Sequence, residues 1–286
     1  MSRPVFSLPL PSGGNLVLGE RTLVMGIINV TPDSFADGGL RFDAARAVEE
    51  GLAMIEQGAD ILDVGGESTR PGADPLPAGE ELRRVLPVVE GLAAQGRVPI
   101  SIDTYKAQVA REALACGASM VNDVTALRGD AGMGRVVAEA GAAVVLMHNR
   151  GSSRDMYREA VYADVAKEVV GELESAIAGA LDAGISRDAI ILDPGLGFAK
   201  RAEHSYAALG ALGRLAVLGR PLLAGPSRKS FLKRAVGDRS PCDREWATAA
   251  AVTASVLLGA HIVRVHGVEA MAQVVRVADL ILSSSG

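Results

Sequence analysis

The sequence predicts an α/β chain folded as a (β/α)8 TIM barrel preceded by an N-terminal β-hairpin, and three observations carry that expectation. First, short and continuously apolar stretches recur eight times, at 24–28, 61–64, 99–102, 119–121, 143–147, 190–192, 221–224 and 262–265. Each gives way to a turn and then to a helical period. Such runs suit strands buried on both faces, as in a parallel sheet whose crossovers are helices. Second, after the first of these strands nothing reads as an antiparallel addition. Eight strand–helix units in 286 residues therefore favour a barrel over an open, doubly wound sheet, the competing arrangement. Third, polar residues are held back to the carboxyl ends of the strands, where both architectures place their ligand sites.

No Pro- or Ser-rich linker divides the chain, so residues 1–22 read as a hairpin extension and 23–286 as one barrel domain. A hydrophobic fraction of 49% with only 3% aromatic residues calls for a core of Ala, Val, Leu and Ile, which suits a barrel interior. The net charge of −5 gives no electrostatic case for nucleic acid or an anionic membrane. No segment has the apolar length of a membrane span, and the amino terminus lacks a signal-peptide pattern. Cys116 and Cys242 stand far apart and outside any metal spacing, which points to a reducing compartment. The expectation is a soluble, cytoplasmic protein acting on small molecules.

Taken in order, 4–21 holds two apolar runs around Pro11-Ser12-Gly13-Gly14, a hairpin suited to plug the amino-terminal end of the barrel. The first strand leads into a long polar connection, 29–39, before a helix over 43–57 with Asp43 as its N-cap. The second leads into 65–75, whose paired glycines, Gly65 and Gly66, admit either a ligand's close approach or ordinary turn chemistry. Two long loops on adjacent strands suggest a mobile lid. The third and fourth strands supply Asp103, Asn122 and Asp123. A lone Asp after a strand is ordinarily a helix N-cap, but Asp103 and Asn122 fall at matching depths on neighbouring strands and can converge on one ligand.

The fifth strand ends at Met147, able to line a flat apolar pocket, followed by His148. His148 reads as a hydrogen-bonded structural residue or a metal ligand, and no second His or Cys lies at a ligand spacing. After the sixth strand, Gly195 and Gly197 lack the third glycine of a dinucleotide fingerprint. A tight turn projecting Asp193 inward and Phe198 over the mouth is the better reading. The seventh strand gives Gly225 through Phe231, with Arg228 and Lys229 adjacent in a chain that has 5 lysines among its 29 basic residues. A Lys there offers a compact three-donor charge rather than a planar fork. The helix over 246–259, rich in small residues, is the candidate contact of a homodimer. On the eighth strand Arg264 and His266 share a side. An Arg inside a barrel needs an anion. With Arg70 it forms a phosphate site, or it pairs internally with Asp33, Asp63 or Asp123.

Asp103, Asn122, Asp193 and Lys229 thus complement a flat heterocycle with amide-like edges, a pterin or a purine, beside a cationic half suited to phosphate or pyrophosphate. No Ser–His–acid set or Walker sequence supports acyl transfer or P-loop chemistry.

Seven stretches, in order along the whole chain, carry a resemblance: Asn29-Val-Thr-Pro-Asp-Ser-Phe35, Gly65-Gly-Glu-Ser-Thr-Arg-Pro-Gly72, Ser101-Ile-Asp-Thr104, Val121-Asn-Asp-Val124, Asp193-Pro-Gly-Leu-Gly-Phe198, Ser227-Arg-Lys-Ser230 and Arg264-Val-His266. Together they resemble the dihydropteroate synthase family. The resemblance implies condensation of 6-hydroxymethyl-7,8-dihydropterin pyrophosphate with 4-aminobenzoate by SN1-like displacement at the pterin methylene. Asp103, Lys229 and Arg264 would carry the chemistry. The pterin would lie among Asp103, Asn122, Met147, Asp193, Phe198, Gly225 and Lys229. Asn29, Thr69, Arg70, Arg264 and His266 would hold the pyrophosphate, with Asn29 meeting its Mg2+. Phe35, Thr69, Pro71, Phe198, Ser227 and Lys229 would receive the aminobenzoate. A pterin-dependent corrinoid methyltransferase and a non-catalytic paralogue are the alternatives. One position departs from the pattern: many members carry an acid directly after the histidine, and here Gly267 stands there. The expectation is weakened pyrophosphate binding with activity retained.

Overall fold

The computed structural model describes residues 3–30, 40–68, 74–151, 157–158 and 160–284, without the side chains of 40–43. The hairpin forms as expected: β1 (Phe6–Pro9) pairs antiparallel with β2 (Asn15–Leu18), Phe6 opposite Leu18 and Pro9 opposite Asn15. Its turn passes through Gly13 and Gly14 at φ 84° and 86°, a region open to glycine without steric cost.

The barrel strands are β3 (Leu23–Asn29), β4 (Ile61–Gly65), β5 (Ile100–Asp103), β6 (Met120–Asp123), β7 (Ala143–Met147), β8 (Ile190–Asp193), β9 (Leu223–Ala224) and β10 (Ile262–Val265). All neighbours pair parallel in the order β8-β7-β6-β5-β4-β3-β10-β9, and a parallel bridge between Leu192 and Leu222 joins the two ends. Sequence and structure agree on all eight. β9 is shorter than expected because Pro221 has no N–H to give the ladder and Leu222 N donates to His261 Nδ1 at 3.1 Å instead. Five strands, β3, β4, β5, β6 and β8, run further into their polar carboxyl ends than the apolar pattern indicated.

The helices packed outside are α1 (Leu40–Glu56), α2 (Ala78–Ala93), α3 (Ala107–Ala115), α4 (Met133–Ala140), α5 (Val165–Asp182), α6 (Ala202–Gly210), the short α7 (Lys233–Val236), α8 (Glu245–Leu257) and α9 (Val268–Ser284). Asp43 falls inside α1 rather than capping it, since Leu40-Arg41-Phe42 holds no helix breaker and the helix starts three residues earlier.

Period-2 alternation divides each strand between two cores. Outward residues such as Val24, Ile28, Leu62, Val64, Val144 and Val263 pack on the helices. Gly26 faces that layer where a β-carbon would stand 2.9 Å from Met54 Sδ, so its missing side chain lets α1 approach. Inward residues Met25, Ile61, Met120, Ala143, Ile191, Leu223 and Ile262 form a separate floor, closed from below by the wholly buried Leu8 and Leu18 of the hairpin. The plug expected from the sequence is present.

Candidate active site

Two residues further along the same inward faces, the chemistry changes. Ile61 is followed by Asp63, Ser101 by Asp103, Met120 by Asn122, Val145 by Met147, Ile191 by Asp193, Leu223 by Gly225 and Ile262 by Arg264. Because the period of a strand is two, these residues point to the barrel axis one layer above the floor. The register places Asp103 beside Asn122 and Met147 beside Asp193.

Arg264 is the centre of this layer. Its Nε donates to Asp63 Oδ2 at 2.5 Å and its Nη2 to Asp103 Oδ2 at 2.6 Å. Asn122 Nδ2 donates to the same Asp63 oxygen at 3.0 Å. The internal pairing weighed as an alternative for Arg264 is therefore present with Asp63, and Asp103 joins it. Asp123 takes no part: its carboxylate accepts from Thr125 N, Thr125 Oγ1 and Leu127 N and fastens its own loop. Arg264 retains three of its five N–H donors beyond these two bonds. The other oxygens of Asp63 and Asp103, Oδ1 in each, are buried and find no hydrogen-bond partner among the described residues. Burial pushes the Asp103 carboxyl well above its ordinary range, against the pull of Arg264.

On the facing side, Asp193 Oδ1 accepts from Gly195 N at 2.7 Å, and burial raises its pKa against the opposing charge of Lys229. Lys229 Nζ donates to Leu196 O at 2.6 Å and lies 4.5 Å from the centre of the Phe198 ring. Desolvation lowers its pKa to about 8, with Asp193 pulling the other way. A β-carbon on Gly225 would stand 3.7 Å from Arg264 Cβ and 3.8 Å from Lys229 Nζ, so a side chain there would narrow the slot between them. Ser227 Oγ lies 3.0 Å from His266 Nδ1 and accepts from His266 N at 3.2 Å, which ties together the loops after β9 and β10. Asn29 ends β3 opposite Gly65, half-buried. Phe35, Thr69, Arg70 and Pro71, together with Asp33, lie outside the described residues.

Two expectations change and a third holds. Of the two glycines, Gly66 has a packing reason, since a β-carbon there would stand 2.7 Å from Val85 Cγ1 of α2, whereas one on Gly65, the last residue of β4, would face Asp103 with its Cβ at 3.4 Å. Of the adjacent basic residues only Lys229 faces the pocket, while Arg228 turns away to Glu245 Oε1. His148 takes its structural reading, with Nε2 3.1 Å from Glu172 Oε2 and Nδ1 2.7 Å from Lys200 Nζ. Among the described residues no three His, Cys, Asp or Glu gather as a metal site.

Lys200 was missed by the sequence reading. It is 1% exposed, donates to Phe198 O at 3.2 Å, and with His148 fixes the turn that carries Asp193 and Phe198. Burial lowers its pKa to about 7 and that of His148 to about 4, so a neutral imidazole can accept from the ammonium. The available signal was its rarity, one of 5 lysines, two residues after Phe198. A second anchor stands under the loop after β4. Glu67 accepts from Tyr105 Oη at 2.7 Å and Leu76 N at 3.2 Å, and Lys106 pairs with both Glu67 and the wholly buried Glu81.

A parallel eight-stranded barrel whose inner rim joins carboxylates, an amide and buried cations over an apolar floor defines a barrel enzyme for a flat, hydrogen-bonding heterocycle. The pterin binding enzyme family matches residues 25–266. A dihydropteroate synthase of Synechocystis is 44% identical over 275 residues, covering 96% of this chain and 95% of the relative. The structure of the Xanthomonas albilineans dihydropteroate synthase with 4-aminobenzoic acid superimposes with a TM-score of 0.90 at 44% identity, covering 97% of this chain and 98% of the other. That of the Burkholderia cenocepacia dihydropteroate synthase complexed with 7,8-dihydropteroate gives 0.88 at 38% identity over 99% of both chains. The chain belongs to the pterin binding enzymes, and within them to the dihydropteroate synthases, transferases of folate biosynthesis.

Proposed function

We propose that the rim residues condense (7,8-dihydropterin-6-yl)methyl diphosphate with 4-aminobenzoate. The C–O bond to the leaving group breaks with its electron pair departing on pyrophosphate. The aniline nitrogen then bonds to the methylene carbon and loses a proton, giving 7,8-dihydropteroate. The observation that carries this reading is the pair of buried carboxylate oxygens, Asp63 Oδ1 and Asp103 Oδ1, without donors among the described residues. Buried acceptors of this kind call for N–H groups from a ligand. A pterin's amino and ring N–H edge supplies them. Asn122, its Nδ2 given to Asp63, keeps its carbonyl oxygen as a further acceptor. Asp193 and Lys229 address the opposite edge of the ring, and Met147, Phe198 and Gly225 shape its slot.

The carboxylates favour positive charge that develops on the pterin methylene, while Arg264 and His266, with Thr69 and Arg70, receive the pyrophosphate. Ser227 and Lys229, with Phe35, Thr69, Pro71 and Phe198, receive the aminobenzoate. The aniline is neutral near pH 7, so no strong general base is required. Asn29 offers one neutral oxygen at the rim, a donor suited to Mg2+ that draws its other ligands from phosphate oxygens and water. When bound, the ion would offset charge on the leaving group.

A homodimer is part of the proposal, supported by the apolar surface of α8 and α9, where Trp246, Leu257, Val277, Leu280 and Ile281 are exposed. A monomeric mass by light scattering at micromolar concentration would remove it. A cytoplasmic setting fits the two free thiols, Cys116 and Cys242.

The test is pyrophosphate release by the purified protein. Release that requires 4-aminobenzoate and Mg2+ supports the proposal. No release with both substrates present leaves a non-catalytic paralogue.

A further inference from the structure

Arg228 is held at φ 58°, a backbone region that residues with a β-carbon seldom adopt. It stands between Ser227 and Lys229, and the turn it makes sends Ser227 Oγ to His266 and Lys229 Nζ to Leu196 O. One short segment at the start of α8 grips it from three directions. Arg244 Nη1 donates to Arg228 O at 2.7 Å, Arg228 N donates to Thr248 Oγ1 at 3.0 Å, and Arg228 Nε and Nη2 donate to Glu245 Oε1 at 3.1 and 2.5 Å. A left-handed residue persists only where its surroundings over-determine it, and these bonds are that surrounding.

Glu245 also reaches the loop after β10. A β-carbon on Gly267 would stand 2.6 Å from Glu245 Oε1, 3.4 Å from its Cδ and 3.7 Å from Arg228 Nη2. A side chain at 267 and the Glu245 carboxylate therefore claim the same space beside the same guanidinium. Gly267 admits a carboxylate brought by the helix.

We propose that Glu245 is a positioning residue for this reaction: by holding Arg228 it aims Ser227 and Lys229, and Gly267 exists to make room for it. An acid at 267 would supply the same charge to Arg228, so the two positions are mutually exclusive sources of one carboxylate. The inference rests on the assignment of Ser227 and Lys229 to substrate made above. On this reading Glu245 supplies the negative charge beside the loop, and His266 Nδ1 is engaged by Ser227.

The experiment measures steady-state kinetics and thermal unfolding for Glu245→Gln, Glu245→Ala, Gly267→Asp, Glu245→Ala with Gly267→Asp, and Lys229→Ala. Glu245→Ala is expected to raise KM for 4-aminobenzoate about tenfold with a smaller loss in kcat, as misaimed binding groups do. Glu245→Gln, which keeps an acceptor without the charge, should fall between it and the wild type. Gly267→Asp alone should impair both stability and KM. The double variant should return KM to within about threefold of wild type, since one carboxylate is again present and uncrowded. A merely structural role predicts lowered unfolding temperature with unchanged KM and no rescue, and either an unmoved KM in Glu245→Ala or a double variant no better than it overturns the proposal. If Glu245→Ala does not fold, an unchanged KM in Glu245→Gln overturns it instead. Loss of activity in Lys229→Ala beside an unaffected Glu245→Ala sinks this inference alone, whereas an unaffected Lys229→Ala sinks the site assignment beneath it.

Discussion

The floor and the rim of this barrel are made by the same strands and differ by two residues along each. Below, Met25, Ile61, Met120, Ile191, Leu223 and Ile262 pack with the hairpin's Leu8 and Leu18 into an all-apolar cluster. Above, Asp63, Asp103, Asn122, Asp193 and Arg264 occupy the equivalent inward positions, and all but Asp193 meet one another through charge-assisted hydrogen bonds. Burying charges costs free energy that close pairing offsets only in part. The floor supplies apolar burial without that cost, at about 25 cal/mol for each Å² removed from water. The contrast says that the barrel is stabilised from below and made reactive from above.

The sharpest way to break that division is to exchange the effects. Leu8→Ala should cost about 2–5 kcal/mol of stability through the cavity it leaves, with kcat/KM unchanged at temperatures where the protein is folded. Denaturant unfolding beside initial rates decides it, and a loss of turnover in step with stability would erase the distinction. Asp193→Ala or Lys229→Ala should do the reverse, losing about 2–4 kcal/mol of transition-state stabilisation, read as a fall in kcat/KM. Near-wild-type turnover in both would place the pocket elsewhere.

A smaller effect concerns pH. Lys229 is an ammonium below its folded pKa of about 8 and a neutral amine above it. If the charge is what the substrates meet, kcat/KM falls as pH rises through that value. The sign comes from loss of the ammonium's proton as pH rises; burial, which favours the uncharged form, brings that loss down from the ordinary lysine range into a measurable window. A Lys229→Arg variant should lack that falling limb, because a guanidinium stays protonated there. The smallest effect is expected at Lys200. Replacing it by Met removes the donor to His148 and loosens the turn carrying Asp193 and Phe198 without touching substrate. KM for the pterin substrate should rise by about fivefold to tenfold. No change would show that the turn holds itself.

What could be read in the sequence depends on the reach of each interaction. Strands buried on both faces announce themselves as unbroken apolar runs, so all eight were legible, and so was the pairing of Asp103 with Asn122, which needs only matching depth on neighbours. Interactions between distant segments left no local mark. Lys200 meets His148 across 52 residues with no period or spacing to announce it, and although Asp63 stood among the candidate partners of Arg264, nothing in the sequence preferred it, 201 residues away, to Asp123. Asp123 and Asp103 look alike in the sequence, each closing a strand. Only the structure separates the carboxylate that fastens a loop from the one that faces the ligand, because the difference lies in which N–H groups come near. Arg228 and Lys229 differ in the same way: adjacent in the chain, they are sent apart by a backbone conformation that residue type does not reveal.

The measurement that reaches the central claim most directly is the affinity of the folded protein for a 6-hydroxymethylpterin, by titration calorimetry, in the wild type and in Asp103→Asn. If the unpartnered rim oxygens receive the ring's N–H edge, exchanging one of them for an amide should weaken binding about thirtyfold or more, measured at a temperature where both proteins are folded because the exchange also removes the Asp103 charge from Arg264. Equal affinity in the two proteins would mean that the pterin does not sit on the rim carboxylates at all.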